Sequence, residues 1–226
     1  MTWLMRGVLA LGVLLTISIA PARADDGTKP RSAIAISAAE GVDDFVEAYL
    51  FEVAASILRA DGYDVAPANA TAALLEATGR TASACAADDT CVADLARTLG
   101  APTVLFIDVT QAEGDQVAVS VRGVTVRVDG VSSSDPREAT GTETAMGEPV
   151  QVAAERLTDT TAPCHFEVEA SGIGVTVRVD GGPEITHFPF FVEPGGHSIV
   201  VSARRRAPHE GRFTCEAGKL YRVGVR

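Results

Sequence analysis

"TVLFIDVTQAEGDQVAVSVRGVTVRVDG", Thr103–Gly130, decides how the first half of this chain folds. Thr103–Val109 is a nearly continuous apolar run rich in branched side chains, as expected of a central strand covered on both faces. "AEGD" turns the chain at Ala112–Asp115, and a second strand starts near Gln116. Its valines fall first at odd positions, Val117, Val119 and Val121, then at even ones, Val124, Val126 and Val128. A period of two changes phase only where a residue is inserted or pairing stops. Gly123 is the residue type that a bulge favours. The pattern therefore predicts one long strand, bulged near Arg122–Gly123 and ending at the Asp129–Gly130 turn.

Working outward, the flanks supply helices. Upstream, Ala33–Ser37 reads as a short buried strand. Val42, Phe45, Val46, Tyr49, Leu50, Val53, Ile57 and Leu58 then recur at helical spacing. Asp43 and Asp44 suit the first turn of that helix, and Gly62 its end. A short strand at Tyr63–Ala66 and a helix at Asn69–Ala77, capped by Asn69, follow. Another helix spans Thr90–Leu99 and stops at Gly100. Downstream, "SSSDPREATGTE" reads as a polar loop and Val150–Leu157 as a closing helix. The first half is thus an α/β domain on a mixed sheet.

The octamer "GVTVRVDG" occurs twice, at Gly123–Gly130 and Gly174–Gly181. The flanks of the two copies scarcely match. Three valines on one face, Thr and Arg on the other, and Asp-Gly as a stop make a half-buried strand with its turn. The repeat therefore reads as one strand solution reached twice, not as a duplicated domain or a paired site. Around the second copy, alternation at Phe166–Glu169 and at Val175–Asp180 predicts a small all-β domain. "FPFFVEPGGHSIVVSA" holds a Pro-Gly-Gly turn between apolar runs. "GRFTCEAGKLYRVGVR" reads as a last hairpin turning near Ala217–Gly218. The fold class expected is α+β: the α/β domain at 25–160, then a small β-sandwich at 164–226.

The N-terminus gives an address. Arg6 precedes an apolar run, Val8–Ala20, and Ala22-Arg23-Ala24 is a small-x-small cleavage signal. This is the pattern of a secretory signal peptide, residues 1–24, cut after Ala24. The run is short for a membrane span, and the processed protein is expected not to span a membrane. Four cysteines suit an oxidising compartment. They allow three pairings, and spacing favours Cys85–Cys91 and Cys164–Cys215. A zinc site would want closer Cys pairs with His. Arg outnumbers Lys 17 to 2, a usage that suggests a GC-rich bacterial genome and hence periplasm or cell exterior. Residues 25–163 carry 9 basic and 23 acidic residues, whereas 164–226 carry 8 and 7. So acidic a first domain argues against nucleic acid or an anionic membrane as its partner.

The matching residues "VTVRVDGG" (Val175–Gly182), Pro189, "EPGGHSIVVSA" (Glu193–Ala203) and "CEAGKLYRVGV" (Cys215–Val225) give the second domain its likeness. It resembles the PEGA domain, a small β module of bacterial and archaeal envelope and surface proteins. It departs from that pattern at "ARRRAP", Ala203–Pro208, where the family often has Gly-Tyr. The first domain, through "AIAIS", the long first helix and "CAADDTCVADLARTLGAPTVLFIDV", is similar to the N-terminal domain of TolB and related envelope α/β domains. The PEGA resemblance implies a structural or interaction module with no known chemistry, and the TolB-like one an assembly or docking role without catalysis.

No nucleophile elbow, zincin motif or phosphate-binding loop is present. Asp43–Asp44 and Asp88–Asp89 read as helix starts rather than as a carboxylate dyad. His165, His187, His197 and His209 show no metal-ligand spacing, so no metal and no cofactor is expected. Arg204, Arg205 and Arg206, with His209 and Arg212, concentrate positive charge in an acidic protein. They are the candidate site for an anionic partner, or a guard against edge pairing. The function expected is a secreted, non-enzymatic docking module of the bacterial envelope with a protein partner. The alternative is a module that binds an anionic or glycan polymer through Arg204–Arg206, and an enzyme with an unrecognised site ranks last.

Overall fold

The computed structural model describes residues 23–24, 29–113, 116–141, 146–158, 162–170, 174–204 and 207–225. The apolar run Val8–Ala20, expected to be a leader core, lies outside them. After a two-residue strand β1 (Arg23–Ala24), the chain runs β2 (Arg31–Ala38), α1 (Asp44–Ala60), β3 (Asp64–Val65), α2 (Ala68–Ala77), α3 (Ala82–Ala86) and α4 (Asp89–Leu99). It continues through β4 (Thr103–Gln111), β5 (Val117–Arg127), β6 (Gly130–Ser133), β7 (Arg137–Gly141) and α5 (Gly147–Thr158). The strands form a mixed sheet in the order β3-β2-β4-β5-β6, with β7 paired further along β5. β2 is parallel to β3 and β4, and β5 runs antiparallel to β4.

Capping places the helices. Asp43 accepts from the Phe45 amide at the start of α1, and Asp88 from the Thr90 and Cys91 amides at the start of α4. Gly100, at φ 62°, closes α4 in a left-handed conformation that few other residues adopt. Val46, Leu50, Ala54 and Leu58 of α1 pack with α5 on one face of the sheet, against Ile34, Leu105, Ile107, Val119 and Val121. α2, α3 and α4 cover the other face, against Ala33, Ala35, Val104, Phe106, Val124 and Val126.

Three expectations are corrected here. β5 has no bulge: its pairing with β4 is one-to-one from Thr103↔Thr125 through Leu105↔Gly123 to Gln111↔Val117. The valines change parity because the strand is buried on both faces and a different face is apolar in each half. Gly123 serves the helix instead, since a Cβ there would lie 3.0 Å from Leu157 Cδ1. The polar stretch after Gly130 is not a loop but contains β6 and β7, both paired to β5. Asn69 is not a cap either: α2 starts after Pro67 and has no side-chain cap. Proline at this point fixes the turn without one.

The remaining strands are β8 (Cys164–Ala170), β9 (Val175–Val179), β10 (Phe190–Val192), β11 (Gly195–Ala203), β12 (His209–Cys215) and β13 (Leu220–Val225). They build two sheets, β1-β13-β8-β10 and β12-β11-β9. Phe166, Val177, Val179, Phe190, Val201, Tyr221 and Val223 fill the core between them. The expected last hairpin is absent. β12 pairs with β11, whereas β13 crosses to the other sheet and lies parallel to β8. The protein is therefore α+β, a helix-flanked mixed sheet followed by an all-β part. Cys164–Cys215 bridges β8 to the end of β12, tying one β-sheet to the other, and Cys85–Cys91 ties α3 to α4. β10 belongs to both halves: Phe190 and Val192 enter the β core, and Phe191 enters the helix-side core.

Candidate functional site at the junction

Alternation along two parallel strands creates a candidate site. On β8, Cys164 and Phe166 point into the β core, so His165 and Glu167 face the other way, toward the helix-flanked sheet. On β13, Tyr221 and Val223 point inward, and Leu220 and Arg222 share the outer side with His165 and Glu167. Register sets Leu220 beside His165 and Arg222 beside Glu167. Lys29–Arg31 leads into β2, and Gly100–Pro102 leads into β4. Together these segments enclose a cleft of about 500 Å³.

Its rim is charged. Arg31 donates from Nε to Asp64 (3.2 Å) and from Nη1 to the Leu99 carbonyl (3.3 Å). Arg222 donates to Glu167 (3.1 Å) and lies 3.9 Å from Glu169. These pairs are half-exposed and worth at most about 1 kcal/mol each, so they orient side chains more than they stabilise the fold. The inner wall is His165. Its ring meets Phe191 edge-on at 5.3 Å. It also fits against Gly100, where a Cβ would lie 3.3 Å from Cε1. His165 Nε2 is buried and has no hydrogen-bond partner. Burial holds its pKa below the usual 6.5; Arg31 and Arg222 push it the same way, and Glu167 opposes them.

No family model matches this chain, and no curated protein matches it. Solved structures that align with part of it include three envelope proteins. The LpoB C-terminal domain from Salmonella enterica is 10% identical over 53% of this chain and 87% of that one, with a TM-score of 0.36. Lipoprotein GNA1162 from Neisseria meningitidis is 16% identical over 58% and 99%, at 0.35. A PelC dodecamer from Paraburkholderia phytofirmans is 19% identical over 63% and 94%, at 0.33. Scores this low carry neither a fold nor a function across to this chain.

The arginine site expected from the sequence lies only in part among the described residues. Arg204 is exposed at the start of the β11–β12 connection, and Arg205 and Arg206 lie outside the described residues. Arg212 is opposite Ser198 on the ladder, six residues before Arg204 in sequence, or about 20 Å along a strand. His209, opposite Val201, stays near the connection. All four cysteines are paired. Both nitrogens of His197 are engaged, Nδ1 with Asp180 (2.6 Å) and Nε2 with the Glu193 carbonyl (2.7 Å). Among the described residues no group of three or more His, Cys, Asp or Glu is placed to hold a metal, and no helix is long and apolar enough to cross a membrane.

Sequence reading missed the junction cleft. The one signal was the alternation at Phe166–Glu169, which marks a half-buried strand. It does not say that a second sheet faces the polar side.

Proposed function

We propose that this chain is an exported, non-enzymatic docking module of the bacterial envelope, cut after Ala24 and working in the periplasm or at the cell exterior. On this reading residues 25–160 and 164–226 are its two domains, the second PEGA-like and the first similar to the TolB N-terminal domain. The carrying observation is the junction cleft. It has a charged rim, an inner wall formed by His165, and an edge of β13 beside it, features suited to holding a peptide. Glu167 is paired with Arg222 at the rim, and His165 sets its ring against Phe191 behind it. Two disulfides support an oxidising compartment.

Crosslinking the tagged protein in its native envelope, followed by identification of what is captured, tests this. One or two dominant envelope proteins are expected. Cosedimentation with purified sacculi and no captured protein would replace docking with polymer binding.

A further inference from the structure

We propose that the outer edge of β13 is a strand-addition site for an extended segment of a partner protein, with an acidic residue set opposite Arg222. The inference rests on the docking reading and names the kind of partner. One edge of β13 is satisfied by β8. The other is occupied by β1, in antiparallel register with Arg23 opposite Arg222 and Ala24 opposite Tyr221. On the export reading proposed above, Arg23–Ala24 is also the last dipeptide of the leader, so cleavage after Ala24 would take β1 away.

The edge left behind is a template for pairing. "LYRVGV" carries one charge and no proline, and β13 pairs with β8 over all six residues. Of the usual devices that blunt an edge strand, β13 itself carries a single charge, Arg222, and no proline. β1 already shows that an extended chain fits there, and in which direction. It also shows that the leader is a poor occupant, because like charges directly opposite each other weaken a strand pair. An acidic residue at the same position would complement Arg222, which already pairs with Glu167 and Glu169 on its other side. Main-chain bonds would supply affinity, and the adjoining cleft would read the side chains that follow.

The test begins with the intact mass of the exported protein, expected to start at Asp25. If the protein keeps Arg23 and Ala24, its edge stays filled and the inference is wrong. The purified exported form is then titrated with a synthetic peptide of residues 19–26 and with the same peptide carrying Arg23→Glu. Hydrogen exchange reports on the amides of residues 221–225. Both peptides should slow that exchange, the Glu version binding about three- to tenfold tighter. N-methylation at residue 23 or 24 should abolish binding at one position and spare it at the other, because alternate amides face the partner strand. With Arg222→Ala the two peptides should bind equally. Absence of protection by either peptide overturns the proposal. So does a dimer in which β13 is already protected, which would assign the edge to a second copy. Because purified protein is used, these results stand apart from whether crosslinking finds a partner.

Discussion

Asp129 and Asp180 close the two copies of the octamer, yet only one is bound into the fold. Asp180 sits at φ 50° and accepts from the Ser198 amide (2.7 Å) and hydroxyl (3.2 Å) while pairing with His197. The His197 contact, then the Ser198 amide, holds its carboxyl below the usual carboxylate range. Asp129 is exposed in the β5–β6 turn. Asp180→Ala should therefore lower Tm by about 3 °C or more, the size of one lost hydrogen-bonded anchor. Asp129→Ala should leave Tm unchanged within about 1 °C. Equal effects in thermal melts would argue that the copies share a role. The strand and its stop were legible in the octamer itself. The anchor was not, because Ser198 reaches Asp180 across 18 positions of sequence.

At the scale of elements, Gly123 is a fitting surface for α5. Gly123→Val should destabilise by about 2 kcal/mol through overpacking against Leu157. Adding Leu157→Ala should cost less than the two changes summed, a coupling that denaturant unfolding of the four variants would reveal. The bridges differ by loop length: replacing Cys164 and Cys215 by Ser should remove about 4 kcal/mol, and replacing Cys85 and Cys91 about 2 kcal/mol. Tm values ranked the other way would refute that ordering. Caps and helices were legible because Asp43, Asp88 and Gly100 act on their own neighbours. The sheet partners of β12 and β13 were not. Two apolar runs around a Gly turn describe a hairpin and a sheet crossing equally well. Nor was the pairing of β6 and β7, since polar edge strands lack the alternation that identifies a buried strand.

At the scale of the molecule, the two halves are held together by β10 and by the wall around His165. The Val128 amide donates to the Phe191 carbonyl (2.8 Å), and Arg127 pairs with Glu193. Burial lowers the His165 pKa below 6.5 in the folded state. The unfolded chain then takes up that proton first, so stability falls as pH drops from 6.5 toward the folded value and is unaffected above it. His165→Phe should remove this part of the pH dependence while keeping the contact with Phe191. Chemical denaturation between pH 7.5 and about 5 would show it, and parallel curves for the two proteins would mean that His165 is not the titrating group. The fold class was readable from the switch between helical and strand periods. The junction was not: nothing in "FPFFV" says that Phe191 is owned by the other core.

The parallel pairing of β8 with β13 also fixes an order of assembly. A nascent chain presents residues 31–158 early, and every strand of the helix-flanked sheet finds its partners within that span. β8 emerges next but waits for residues 220–225 to fill the edge away from β10. Throughout that interval Phe166 and Val168 belong to an unfinished sheet, open to any strand that meets it. A stop codon after Lys219 would make the interval permanent. Such a product should keep its helical half and be held by chaperones or degraded through the other.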